Sequence, residues 1–345
     1  MLRSAGRRRT RPAGARAVCG RSTHLAARRA TNRFVIVVVG ESLVDLVVAD
    51  DGRVDAALGG APFNTARAAS RLGADVELVA TLSDDRFGAL LTERLVDDGV
   101  RIDHVERTEA PTTLAAAEID EDGSASYRFY FDGTSAPLLS SASVRDATAA
   151  ATAGGGGIFF TGGLGLVLEP MATAITAGLA SIDDAALVVV DVNCRPAVVH
   201  DRAAYLTRIE QVVGRADLVK VSDEDLAFLS PGLAPGDAAR RLLEFGAAGV
   251  IVTAGGSHTT VLFADRIETI DVPPVTAPVV DTIGAGDTFG GGLLAWLAAA
   301  GVRRDTLSLD DLRDGVRVGH AAAGIVVTRR GADPPWRTEL DIVWP

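Results

Sequence analysis

The stretch Asp281-Thr282-Ile283-Gly284-Ala285-Gly286-Asp287-Thr288-Phe289 runs straight into a proline-free apolar segment, residues 290–300. A glycine-rich turn before such a run reads as a loop feeding the first turn of a buried helix. The first backbone N–H groups of a helix lack partners inside it, and the helix dipole concentrates positive charge there. Small residues at Gly284, Ala285 and Gly286 leave those groups uncovered, which predicts an anion site. Asp287 follows at once. A carboxylate beside an anion site opposes binding electrostatically, so it needs a chemical reason. Deprotonating a hydroxyl that attacks a phosphoryl group is one; stabilising the helix dipole is the plainer one.

A second glycine pair lies upstream in Gly59-Gly60-Ala61-Pro62-Phe63-Asn64-Thr65-Ala66, followed by Arg67-Ala68-Ala69-Ser70-Arg71-Leu72-Gly73. Two glycines let a backbone approach a ligand closely. Pro62 suits a helix start. Asn64 offers donors and an acceptor to a polyol, or a cap to the helix. In this order, the two strings resemble the N- and C-terminal signatures of the ribokinase-like (PfkB-type) carbohydrate kinases, nearest the fructokinase branch. The resemblance implies that Asp287 is the catalytic base and that the amides of Gly284, Ala285 and Gly286 hold the anion. It further implies that Gly59, Gly60 and Asn64 meet a sugar, and that ATP and Mg2+ take part.

The composition agrees with a large α/β protein. Of 345 residues, 48% are apolar, mostly Ala, Val and Leu, enough for a substantial core. The one lysine, Lys220, against many arginines reads as biased genomic composition. Residues 1–33 hold ten arginines and no acid, leaving 24 basic and 45 acidic residues in the remainder, a net −21. Such an acidic body argues against nucleic-acid binding. The leader reads as a disordered tail or over-extended translation start, ahead of a targeting peptide, because it lacks a continuous apolar core. No run is long and apolar enough for a membrane span. Cys19 and Cys194 are not expected to pair, which suits a reducing, cytoplasmic setting.

Residues 34–39 form a continuous apolar run, as a strand buried on both faces of a parallel sheet would. Similar runs recur at 76–80, 157–160, 187–190, 218–221 and 250–252, with helical patterns such as 86–97 and 237–245 between them. This alternation predicts a three-layer α/β/α sandwich with a mostly parallel central sheet over residues 34–335, and a tail at 336–345. Two pairs of runs break the rhythm: 43–48 with 54–58 around Asp50-Asp51-Gly52, and 114–119 with 124–131 around residues 120–123. They predict a small separate sheet from about 43–58 and 112–132. The resemblance makes that sheet a lid over the sugar, and its apolar face suggests a homodimer contact. Residues 154–157 read as a loop.

Other candidates stand where strands end, the usual place for ligands in open α/β sheets. Asp45 reads equally as a group gripping two adjacent hydroxyls or as a surface turn acid; the resemblance makes it a sugar-binding aspartate. Asp191-Val192-Asn193-Cys194-Arg195-Pro196 is similar to the fructokinase-like branch; Arg195 either faces phosphate or substrate, or pairs with Asp191 to hold the loop. The family carries Asn-x-x-Glu, tied to magnesium and its waters, where this chain has Ser222-x-x-Asp225; the acids there also suit a solvated helix start. Thr253-Ala254-Gly255-Gly256 resembles the nucleotide-side Thr-x-Gly. His320 reads as a packed histidine, and no Cys/His cluster has metal spacing. The resemblance implies ATP-dependent phosphorylation of a sugar hydroxyl, with D-fructose first and 2-keto-3-deoxygluconate, ribose or nucleosides behind it. A non-catalytic sugar-binding relative is the other class. A dinucleotide-dependent dehydrogenase is disfavoured, since Gly40-Glu41-Ser42-Leu43-Val44 lacks Gly-x-Gly-x-x-Gly spacing.

Overall fold

Each continuous apolar run becomes a strand of one sheet. A computed structural model describes residues 34–48, 51–119, 125–152, 156–182, 185–275 and 277–345. The leader, Cys19, the Asp50 and 120–123 turn positions and Gly154 lie outside the described residues. The eight strands stand in the order Arg266–Asp271, His258–Phe263, Gly249–Ala254, Leu218–Ser222, Leu187–Asp191, Gly157–Gly162, Val35–Val39, Asp75–Val79. Pairing is parallel from Asp75–Val79 across to Gly249–Ala254, and antiparallel for the last two strands.

Strand Val35–Val39 shows why the sheet is central. Its side chains alternate between faces, and all of Ile36, Val37, Val38 and Val39 are fully buried. Val37 and Val39 join a core with helices such as Met171–Leu179 and Arg202–Val213. Ile36 and Val38 join another with helices Ala61–Arg71, Arg86–Asp97, Ala285–Ala299 and Leu309–Val326. Burial on both faces is the three-layer α/β/α architecture the sequence predicts.

From Val35–Val39 the chain moves to Asp75–Val79 on one side and later to Gly157–Gly162 on the other. The loops leaving neighbouring strands therefore diverge, and a crevice opens beyond the carboxyl ends. A second sheet, ordered Val54–Gly59, Leu43–Val48, Leu114–Ile119, Ala125–Tyr130, stands beside the first. In it Leu43 pairs with Gly59, so the hairpin brings the chain back to its starting point at the crevice. The return is tight: Gly60 has φ +106°, and a Cβ there would lie 2.7 Å from the Glu41 carbonyl oxygen. The C-terminal tail is packed onto the body, with Leu340 buried and the Trp344 ring 6.1 Å from that of Trp296.

Candidate active site

The quoted stretch folds as a turn and helix start. Gly284, at φ +75°, caps helix Ala285–Ala299. Asp281 braces the turn by accepting N–H bonds from Ile283 and Gly331, both at 2.9 Å. Asp287 stands in the helix's first turn. Its Oδ2 accepts a 2.9 Å bond from Asn64 Nδ2, in the first turn of helix Ala61–Arg71. That bond fixes the rotamer and leaves Oδ1 free of the pair. Asn64 Oδ1 is buried and unpartnered, an acceptor waiting for a donor.

The set of open amides at the helix start differs from expectation by one. The Ala285 N–H donates to the Thr282 carbonyl at 3.2 Å, closing the turn that starts the helix. Among the described residues, the N–H groups of Gly284, Gly286 and Asp287 have no partner. The open amides are therefore those of Gly284, Gly286 and Asp287, where the sequence expectation named Gly284, Ala285 and Gly286.

These groups line a cavity of about 410 Å3, together with Glu41, Leu43, Asp45, Gly60, Phe129, Arg195 and Lys220. The size suits a small polar ligand. Asp45 faces in from the second sheet. Gly59 does not line the cavity; it leaves room for Asp45, since a Cβ there would lie 2.1 Å from Asp45 Oδ2. Burial, and then the charge of Asp287, push the Asp45 carboxyl up to about 7, with Arg195 opposing. The Asp287 carboxyl is also raised by burial, against the Asn64 bond, Arg195 and Lys220.

Sequence reasoning passed over Glu41 and Lys220. Glu41 is 3% exposed, and its two oxygens accept N–H bonds from Ala61 at 3.3 Å and Gly165 at 3.2 Å. It ties the start of helix Ala61–Arg71 to the turn after strand Gly157–Gly162, and burial pushes it up to about 7. The signal was its place directly after the first strand, before Asp45. Lys220, assigned to genomic composition, is instead a buried cavity wall bonded to Asp191 Oδ2 at 2.7 Å. This pairing overturns the Asp191–Arg195 alternative: a lysine on the adjacent strand reaches Asp191 first. Arg195 bonds its own loop, at 2.5 Å to Asn193 Oδ1 and 2.9 Å to the Cys194 carbonyl, and lines the cavity.

The expected metal position does not fit direct ligation. Asp225 Oδ2 accepts from the Ser222 amide at 2.8 Å, Oδ1 accepts from the Cys194 amide at 2.7 Å, and Ser222 Oγ caps the helix in return. This capping box clamps two loops with backbone donors. Among the described residues no group of three or more His, Cys, Asp or Glu side chains forms a metal site. Ser222 and Thr253 are register partners at neighbouring strand ends, with Gly255 in the turn beyond, and none of the three lines the cavity. His320 is 6% exposed with its ring 5.1 Å from Phe289, a packed residue pushed down to about 4 by burial.

Comparison with known proteins identifies the family. The family model for pfkB family carbohydrate kinases matches residues 34–339. A fructokinase of Rhizobium leguminosarum bv. trifolii is 31% identical over 289 residues, covering 81% of this chain and 86% of its own. Fructokinase-1 of Zea mays is 32% identical over 328 residues, covering 91% and 98%. Among solved structures, a fructokinase from Xylella fastidiosa with bound ATP superposes with a TM-score of 0.78 at 27% identity, covering 86% and 93%. With matching signatures, a parallel-sheet crevice and a carboxylate beside open helix amides, the chain belongs to the pfkB family of carbohydrate kinases and is a sugar kinase.

Proposed function

We propose that the protein transfers the γ-phosphoryl group of ATP to D-fructose, giving fructose 6-phosphate. The observation that carries the phosphoryl transfer is Asp287: one oxygen held by Asn64, the other free, next to unpartnered helix amides inside a small polar cavity. Fructose is favoured by the fructokinase relatives over most of the chain. Asp45, Gly60 and Asn64 would orient the sugar. Asp287 would take the proton from its attacking hydroxyl, while the Gly284, Gly286 and Asp287 amides receive charge developing on the phosphoryl oxygens. The donor would be the magnesium complex of ATP, its far end running toward Ser222, Thr253 and Gly255. The second sheet would close over the sugar and pair two copies, and a buried free Cys194 suits the reducing setting of a cytoplasmic enzyme.

An ADP-coupled assay with Mg-ATP and a panel of D-fructose, 2-keto-3-deoxygluconate, ribose and nucleosides tests this. The highest kcat/KM is expected for fructose. A different leading sugar removes the fructose assignment, and no sugar-dependent ADP release removes the kinase reading.

The raised carboxyls also make activity and stability move in opposite directions with pH. Asp45 and Asp287 accept hydroxyl donors as carboxylates, so kcat/KM for the sugar is expected to fall as pH drops below about 7. Folded Glu41, Asp45 and Asp287, and Asp191 at about 6, keep protons that the unfolded chain releases near its ordinary pKa of roughly 4. In that window the native state binds more protons, so these groups make stability decline as pH rises through it. Buried neutral His320 works the other way between about 4 and 6.5, as one group against four. Calorimetry at about pH 5.5 and pH 8 should give the higher Tm at the lower pH. A Tm that rises with pH would contradict the burial of these groups.

A further inference from the structure

We propose that Lys220 is a catalytic residue whose ammonium contacts the transferring phosphoryl group beside the Gly284 and Gly286 amides. This rests on the phosphoryl-transfer reading above. Lys220 is the only lysine in the chain, against 33 arginines. Where arginine serves every other basic position, the exception sits on the cavity wall. Its Nζ lies 3.7 Å from where a Cβ on Gly286 would stand, which puts the charge at the mouth of the open helix start. One of its three N–H groups meets Asp191 Oδ2 at 2.7 Å, and among the described residues the other two have no acceptor. Asp191 Oδ1 is buried without a partner.

A buried pair that merely balanced charge would be a poor stabilising device, since desolvation offsets most of the attraction. An ammonium with two open donors beside an anion hole has a second use. A compact charge with rotatable donors fits between a carboxylate and a phosphoryl group, where a flat guanidinium fork would not. Burial works against the charge, but Asp191 outweighs it, and the Lys220 pKa is raised, so the group stays an ammonium.

The step balances without any proton from Lys220. The sugar hydroxyl gives its proton to Asp287 as the new O–P bond forms. The bond from the γ-phosphorus to the bridging oxygen breaks, and its electron pair leaves on ADP. Lys220 donates hydrogen bonds to phosphoryl oxygens and stays charged throughout.

Lys220→Met alone would strand the Asp191 charge in the interior. The test is therefore the neutral pair Asp191→Asn with Lys220→Met, compared with Asp191→Asn alone and with wild type. Tm, calorimetric sugar affinity, kcat and the preference for ATP over ADP are the readouts. The double variant is expected to fold and bind sugar as Asp191→Asn does, with kcat lower by about a hundredfold and a reduced ATP-over-ADP preference. Lys220→Gln, which keeps a donor toward Asp191, carries the same expectation should the double variant fail to fold. Turnover and nucleotide preference equal to those of Asp191→Asn would make Lys220 a structural counter-ion and overturn the inference. Wild-type protein inert toward the whole sugar panel would instead remove the reading beneath it.

Discussion

Asp287→Asn is expected to lower kcat by a factor of ~10² to 10⁴, the range for loss of a general base, with sugar affinity nearly intact. The substitution preserves shape. The oxygen of the introduced amide can still accept the Asn64 bond that now measures 2.9 Å. What faces the sugar hydroxyl becomes an amide NH2, which cannot take a proton. A second consequence separates this from a general loss of structure. The negative charge beside the open amides disappears, so ATP should bind more tightly, while the Asp45 carboxyl loses the neighbour that raises it and titrates lower. Steady-state kinetics and nucleotide calorimetry read both. Turnover close to wild type would remove Asp287 from the role of base.

Gly291→Val is expected to destabilise the fold by ~3 kcal/mol or more, at the upper end of overpacking effects. Gly291 lies within helix Ala285–Ala299, where that helix crosses Ala61–Arg71. A Cβ there would stand 2.4 Å from the Ala68 Cβ and 2.9 Å from both the Ala69 nitrogen and the Thr65 carbonyl oxygen. Two of these are backbone atoms, which no rotamer change moves, so the helices would have to separate. The same contact sets the site: Asn64 and Thr65 on one helix bond the side chain and carbonyl of Asp287 on the other. Turnover should therefore fall with stability. Gly256→Val is the control, since nothing lies within 4 Å of its Cβ position, and its stability should stay within ~0.5 kcal/mol. Equal denaturation midpoints for the two variants would refute the close crossing.

Parallel strands buried on both faces left runs such as 34–39 and 187–190 that cannot be mistaken for half-exposed strands. The layers, the strand pairs of the second sheet and the general placement of Asp45, Asn64, Arg195 and Asp287 were therefore legible. So was the helix start at Gly284, because its chemistry is local: small residues, then an acid, then an apolar run. The amide count was not. The Ala285 N–H is taken up by the Thr282 carbonyl as the turn closes, a bond that composition does not record.

Side-chain partners across strands were beyond sequence for a similar reason. Asp191 could as well have met Arg195, four residues away, as Lys220 on the next strand; sheet register settled it for Lys220. Asp225 looked like a cation ligand until the loop at Cys194 arrived to engage its second oxygen. Period and local chemistry were written in the chain and determined the elements, the sheet and the acid at the helix start. Pairing between residues remote in sequence depends on distances that exist only after helices and strands have packed, and that packing alone decided which carboxylates became clamps and which stayed free to react.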